Sequence, residues 1–388
     1  MQTNPALAQV AFPPITEVKG YLAGQSFSAE RPLVDLCQAV PDYPPALELR
    51  QQLQQWAALP QTAVYSPDEG LPEVRHSLAA WYARRYGQGP AAAEICLTIG
   101  ASQAFWLAML LLCRPGDEVI VALPAYFDHP MGLQALGIRP VFVAAGCGSE
   151  LDLAALAGHI GPRTRTLLLV SPSNPTGAVL APAQIDALFE LARCHDIALV
   201  LDETYNAFLP PGQPPHQLFT RPDWGRHFIQ LASFGKTFAL TGYRAGALVA
   251  SAELIRQALK LQDSMVVCQP RITQLAVAWG CDALDDWVTA NARAMQQRHD
   301  LFVQLFDQPG NAFELLASGA FFAWVRHPWP DQTGRAVTRR LALEHQLICL
   351  PGEAFGPGLQ DCLRLAFGNV AIEAIPAAVE RLRAAGAA

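Results

Sequence analysis

The sequence has no pair of cysteines spaced as Cys-x-x-Cys, and its nine cysteines form an odd, scattered set. That pattern indicates neither a disulfide framework nor a zinc site, so no metal is expected and the thiols read as free groups in a reducing cytoplasm. Lys/Arg clusters of five to eight residues are also missing, and the net charge is -7. Nucleic-acid partners need a concentrated basic surface, so that class of function is set aside. No apolar run reaches the roughly 18 residues of a membrane span. The longest, around Ala104 to Cys113, reads as a buried helix, and no membrane association is expected. Residues Met1 to Pro14 lack the basic-then-apolar layout of a secretory signal. Internal repeats and low-complexity tracts are absent too.

The sequence is rich in material for burial. It has 388 residues, 51% hydrophobic and 16% charged, which is more chain than one ordinary core accommodates, so two domains are expected. Short apolar runs recur through the middle. Asp117 to Leu123, Thr166 to Val170, Ile197 to Leu201 and Phe228 to Ala232 read as buried strands. A helix over Pro182 to His195 lies between the second and third, opened by proline near its first turn. Strands alternating with helices predict a parallel α/β sheet, whose ligands sit beyond the carboxyl ends of the strands. From about Asp285 the texture changes to a long amphipathic helix, Trp287 to Phe306, and strand-like pieces at Ala320 to Val325 and Leu363 to Phe367. The expected division is an irregular, proline-rich arm over 1–45, a large domain over 46–284 and a smaller α+β domain over 285–388. The arm is expected to contribute to the small domain.

Polar motifs follow the strands. Lys236 stands in Ser-Phe-Gly-Lys-Thr-Phe (233 to 238), ahead of Gly242-Tyr243-Arg244. A lone lysine there is ordinary solvated surface. With Ser233 and Thr237 hydroxyls and the Arg244 fork beside it, the segment suits a phosphate dianion. A lysine near positive charge also loses proton affinity, which suits Schiff-base chemistry. Asp202 comes directly after a buried apolar run, where a carboxylate either caps a helix or faces a buried cation such as a protonated pyridine nitrogen. Ser171-Pro-Ser-Asn-Pro-Thr-Gly177 is a turn by composition, in which Asn174 offers a donor to a phenolate, as Tyr205 does. The small residues of Thr98-Ile-Gly-Ala-Ser-Gln-Ala104 open a helix and expose N–H groups to an anion. Tyr126, in Pro124-Ala-Tyr126, is either a core aromatic or a flat platform for a ring. Arg364 lies inside the apolar run Leu363-Arg-Leu-Ala-Phe367. It asks for a bidentate anion, either an internal carboxylate or that of a substrate.

In this order, from Gln38-Ala-Val-Pro-Asp-Tyr43 and Tyr65-Ser-Pro-Asp-Glu-Gly-Leu-Pro72 to Pro351-Gly-Glu-Ala-Phe355 and Arg364, the segments resemble the class I/II aminotransferases of the aspartate aminotransferase fold. The likeness runs from about Leu36 to the end. It implies a large domain with a mostly parallel, seven-stranded sheet flanked by helices (pyridoxal-phosphate fold type I) and a smaller α+β domain. It also implies pyridoxal 5'-phosphate as cofactor and an amino acid and a 2-oxo acid as substrates, in a homodimer with shared active sites. Lys236 would form the internal aldimine and then move the proton; Asp202 would pair with the pyridine nitrogen, and Asn174 and Tyr205 with the ring oxygen. Ala101, Ser102, Gln103, Ser233 and Arg244 would hold the phosphate, joined by Tyr65 from the neighbouring subunit. Tyr126 would stack on the ring, Arg364 would clamp the substrate carboxylate, and Ala39 and Asn174 would border the substrate.

Two departures from the family pattern bear on the substrate. Ala39 stands where the family has glycine, in a segment that closes over substrate. Dicarboxylate-preferring members carry an extra arginine shortly before the segment matching Cys268-Gln-Pro-Arg-Ile272, and here Gln262-Asp-Ser-Met-Val266 supplies no cation, although Arg271 is near. An aspartate-specific enzyme is therefore disfavoured and neutral aromatic or aliphatic amino acids are expected. A lyase on the same scaffold, eliminating a β-substituent, would use the same Lys, Asp and Arg. A non-catalytic descendant would be expected to lose Lys236 or gain a DNA-binding extension, and neither is seen.

Overall fold

The computed structural model describes residues 1–144, 151–210 and 212–387. The apolar runs form a seven-stranded sheet in the order Ile95–Ile99, Ala245–Val249, Phe228–Ser233, Ala198–Asp202, Thr164–Val170, Glu118–Leu123 and Arg139–Ala144. Only Ala245–Val249 runs antiparallel to its neighbours. The strands are apolar without alternation because both faces are covered. Leu167, Leu169, Leu199 and Leu201 pack on one side and Leu168, Val200, Ile229 and Leu231 on the other. Successive side chains of a strand point to opposite faces, so each residue joins a different half of the core. Each fully buried leucine or valine contributes about 1.5–3 kcal/mol. Helix Gly100–Leu112 turns Ala104, Phe105, Leu107 and Ala108 inward against Phe228–Ser233 and Ala245–Val249.

A second, antiparallel sheet has the order Leu350–Pro351, Cys362–Ala366, Phe322–Arg326, Glu314–Gly319. Helices Asp285–Phe306, Gly334–His345 and Ile375–Ala387 pack around it and one another. The expected strand over Ala320 to Val325 begins instead at Phe322, because Ala320 takes a left-handed turn (φ 45°) that closes a hairpin from Glu314–Gly319. The N-terminal arm is tied down where Val34–Asp35 pairs in parallel with Leu347–Ile348. Cys37, Cys96, Cys113, Cys194, Cys268, Cys281 and Cys349 are free thiols. No described helix is long and apolar enough to cross a membrane.

The parallel register is what assembles a site. Val170 is level with Asp202, and Asp202 with Leu231, so the loops after these strands leave the sheet at one edge. Asn174, Asp202, Lys236 and Tyr126 are all delivered there, at the carboxyl ends.

Candidate active site

A cavity of about 470 Å³ opens at that edge. The N-terminal segment supplies Val10, Ile15, Gln38, Ala39 and Val40; the large sheet's loops supply most of the rest, and Arg364 comes from the smaller sheet.

Lys236 sits in the one-turn helix Phe234–Thr237, and its Nζ donates to the Ala39 carbonyl at 2.6 Å. Burial, then the nearby Arg244 and Arg364, lower its pKa from 10.5 to about 7, while Asp202 opposes them. An amine at that value is half unprotonated near neutrality, the form in which lysine is a nucleophile or a base. The adjacent Thr237 hydroxyl is not offered to the cavity, because it donates to the Ser233 carbonyl at 3.2 Å.

Asp202 is 4% exposed. One carboxylate oxygen accepts from the Thr204 N–H at 3.0 Å and the other lies 3.2 Å from Nε2 of His129. Asp202 thus caps a turn with one oxygen and meets His129 with the other. His129 is held by the ring of Phe105, stacked with centroids 4.7 Å apart, and by the edge of Tyr126 at 5.2 Å. The sequence reasoning missed His129. Its signal was the spacing Tyr126-x-x-His129 at the start of helix Asp128–Ala135, which turns both rings toward the strand end.

Tyr205 is buried against Phe321 and Phe322. Burial first, and then Asp202, push its phenol well above 10, against the pull of Arg364 and a hydrogen bond with Asn174. It therefore keeps its proton and can donate it. Tyr126 lines the cavity and its hydroxyl donates to Asp128.

Arg364 is 1% exposed, in a strand paired on both sides. It makes no ion pair among the described residues, which removes the internal salt bridge. Its Nη1 donates to Asn174 Oδ1 at 3.0 Å, its Nη2 to the Cys37 carbonyl, and its Nε has no partner. Phe322 and Phe355 stand 5.4 Å from the guanidinium carbon. Such a cation is incompletely satisfied and faces a cavity, the setting in which a ligand anion binds strongly.

Arg244 takes a left-handed backbone (φ 56°), and its carbonyl accepts from the Gly100 N–H at 2.8 Å. Gly100 needs to be glycine twice over. Its φ is 72°, and a Cβ would lie 2.6 Å from Arg244 Nη2. Ala101, Ser102 and Ser233 line the cavity beside it. Gln103 is a correction to the expected set, for its side chain turns away from the cavity. The amide accepts from the Ile99 N–H at 2.7 Å and donates to Gln262 at 2.9 Å, so it fastens the helix start to Ala252–Val266. Tyr65 is 76% exposed and lies outside this chain's cavity, with its carbonyl accepting from Arg271 at 3.1 Å. Arg271 is likewise not among the lining residues.

The sequence family described as aminotransferase class I and II matches residues 31–382. Arginine–pyruvate transaminase AruH of Pseudomonas aeruginosa is 33% identical over 306 residues, 78% of this chain and 77% of that protein. An aspartate aminotransferase of Sulfolobus acidocaldarius is 28% identical over 326 residues, 81% of this chain and 80% of that protein. Among solved structures, the Escherichia coli protein YbdL, described as having a methionine aminotransferase function, superposes with a TM-score of 0.88 at 25% identity, covering 99% of this chain and all of that one. The fold is that of aspartate aminotransferase, and members of the family use pyridoxal phosphate.

The residues present fit that cofactor. Gly100, where a Cβ would come within 2.6 Å of Arg244 Nη2, lets the guanidinium lie against the start of helix Gly100–Leu112 in the cavity lining, which sets a cation beside helix N–H groups as a phosphate needs. Lys236 supplies the amine, Asp202 a buried acceptor, and the unpartnered Nε of Arg364 belongs to a cation set to meet a second anion.

Proposed function

Because the chain belongs to the class I and II aminotransferase family, we propose that it moves the amino group of a neutral aromatic or aliphatic L-amino acid to a 2-oxo acid, with Lys236 as the proton-transfer residue. The observation that carries this reading is the Lys236 amine set in one cavity wall with Asp202, Arg244 and Arg364, where burial first and then the two arginines lower its pKa to about 7 against Asp202. Pyridoxal phosphate, when bound, supplies an aldehyde and an electron-withdrawing ring that accept the amino group.

The chain's own residues divide the remaining work. Arg244, Ser233, Ser102 and the N–H groups after Gly100 hold the phosphate. Asp202, steadied by His129 and the Thr204 N–H, provides the carboxylate that keeps a ring nitrogen protonated. Tyr205 and Asn174 donate to the ring oxygen, and Tyr126 covers the ring face. Arg364 binds the substrate α-carboxylate through its guanidinium and so fixes the direction of the α-C–H bond. Lys236 Nζ then takes that proton and returns it on the cofactor side. The carbonyl of Ala39, already 2.6 Å from Nζ, holds the amine on the substrate side.

The solvent-facing Tyr65, next to Val64 at 59% exposure, suits a residue that completes the phosphate site of a second copy in a homodimer. Residues 1–45, 46–284 and 285–388 act as arm, cofactor domain and closing domain in a cytoplasmic enzyme with free thiols.

One experiment tests the reaction class. One equivalent of holoenzyme mixed with leucine or phenylalanine should release one equivalent of the matching 2-oxo acid per site and no ammonia. Release of ammonia with a β-substituted donor would identify a lyase. Undiminished turnover in Lys236→Ala would overturn the role of the lysine.

A further inference from the structure

The donor's side chain and the acceptor's side chain occupy the same space, because the second half-reaction is the first in reverse. What borders that space therefore restricts both. Three cations line the cavity: Lys236, Arg244 and Arg364. On the reading above, which this inference rests on, all three are engaged, with the cofactor aldehyde, the phosphate and the α-carboxylate. The remaining lining includes the apolar Val10, Ile15, Phe127 and Met131, the last three in one cluster. One charged group remains there, and it is an acid. Asp128 opens helix Asp128–Ala135, makes no ion pair among the described residues, and accepts from the Tyr126 hydroxyl. The other lining acid, Asp202, is already bonded to His129 and Thr204.

We propose that the amino acceptor, like the donor, is a monocarboxylic 2-oxo acid, and that Asp128 is the specificity residue that turns dicarboxylates such as 2-oxoglutarate away. A second substrate carboxylate would leave water for lining in which this chain offers no free cation and which carries the Asp128 carboxylate. Both the desolvation and the like charge disfavour it. The overall exchange balances without an outside oxidant. The donor's α-carbon loses its amino group and a hydrogen and becomes a ketone. The acceptor's ketone carbon gains both, and the water taken up in one half-reaction is released in the other. The reactions that feed this enzyme therefore supply a 2-oxo acid with a neutral side chain.

The test uses holoenzyme and two unreactive carboxylates, 4-methylpentanoate and glutarate, titrated by calorimetry. Glutarate should bind about tenfold more weakly than 4-methylpentanoate, the size of a like-charge contact in a partly solvated site. Asp128→Asn keeps an acceptor for Tyr126 and should narrow that gap by about the same factor. In turnover with leucine, the ratio of kcat/KM for 2-oxoglutarate over that for pyruvate should rise in the variant. Equal binding of the two carboxylates to the unaltered enzyme would overturn the proposal with no variant needed, and so would a gap that Asp128→Asn leaves in place. If no amino acid yields its 2-oxo acid, the aminotransferase reading fails instead. The calorimetric ranking of the carboxylates would still stand or fall separately.

Discussion

Replacing Lys236 with Met keeps the side-chain length and removes the amine, so the pair isolates the cost of holding an ammonium in the cavity wall. In the folded protein that amine titrates near 7 instead of 10.5, through burial first and then Arg244 and Arg364, with Asp202 opposing. In the unfolded chain it recovers its ordinary value. Between pH 7 and 10.5 the unfolded state therefore binds more protons than the folded state, and the lysine protein gains stability as pH rises through that window. At about 1.4 kcal/mol per unit, the gain from pH 7 to 9.5 relative to Lys236→Met is about 3 kcal/mol. One side of Lys236 faces the cavity, where water moderates the penalty, so that figure is the upper end. Urea unfolding of both proteins, stripped of cofactor, at the two pH values gives the difference directly. The lost bond to the Ala39 carbonyl and the changed packing shift the variant by the same amount at both pH values and cancel. A stability difference that stays constant with pH, or moves the other way, would refute the depressed lysine.

Arg364→Lys keeps the charge and loses the planar fork, so kcat/KM for amino acid donors should fall on the order of 10²-fold, with KM taking much of the change. Steady-state kinetics on leucine or phenylalanine checks this, and a loss under threefold would remove Arg364 as the carboxylate clamp. Gly177→Ala should destabilise the protein by about 2–4 kcal/mol in urea unfolding, because φ is 74° and the new Cβ would meet the Gly319 carbonyl oxygen at 2.2 Å. A change within about 0.5 kcal/mol would mean that the two loops part easily.

The strands were legible because the residues that end them differ so sharply from the apolar runs before them. Asp202 after Ala198–Leu201, and Asn174 after Thr164–Val170, announce a sheet edge with polar loops, and the register then brings them together. What escaped were contacts between residues far apart in the chain or hidden by local geometry. His129 reaches Asp202 from another strand's loop, a partner that the spacing Tyr126-x-x-His129 does not identify. Gln103 looks like an anion ligand in a Gly-Ala-Ser-Gln turn, yet its side chain is long enough to fold back onto the Ile99 N–H and is spent there. Ser102, one residue earlier, is too short to do so and stays at the cavity. Gly177 reads as a turn glycine, and its second reason, the backbone of Gly319 against it, belongs to the other sheet.

Arg364 shows why charge in this site is best understood together with a ligand. A guanidinium at 1% exposure, bonded to one amide oxygen and one carbonyl and to no carboxylate among the described residues, carries a desolvation cost that its partners offset only in part. Burial is accordingly the first cause of its lowered pKa. The same burial that makes the cation costly strengthens its attraction for an anion that enters the cavity, since less water screens the pair. Lys236 is subject to the same logic in reverse. It is close enough to Arg244 and Arg364 to lose proton affinity, and anions arriving at those two arginines weaken the repulsion that depresses it. The protonation state of the lysine is thereby coupled to occupancy of both anion sites. A substrate carboxylate on Arg364 makes Nζ a better proton acceptor at the moment the α-C–H bond is in place.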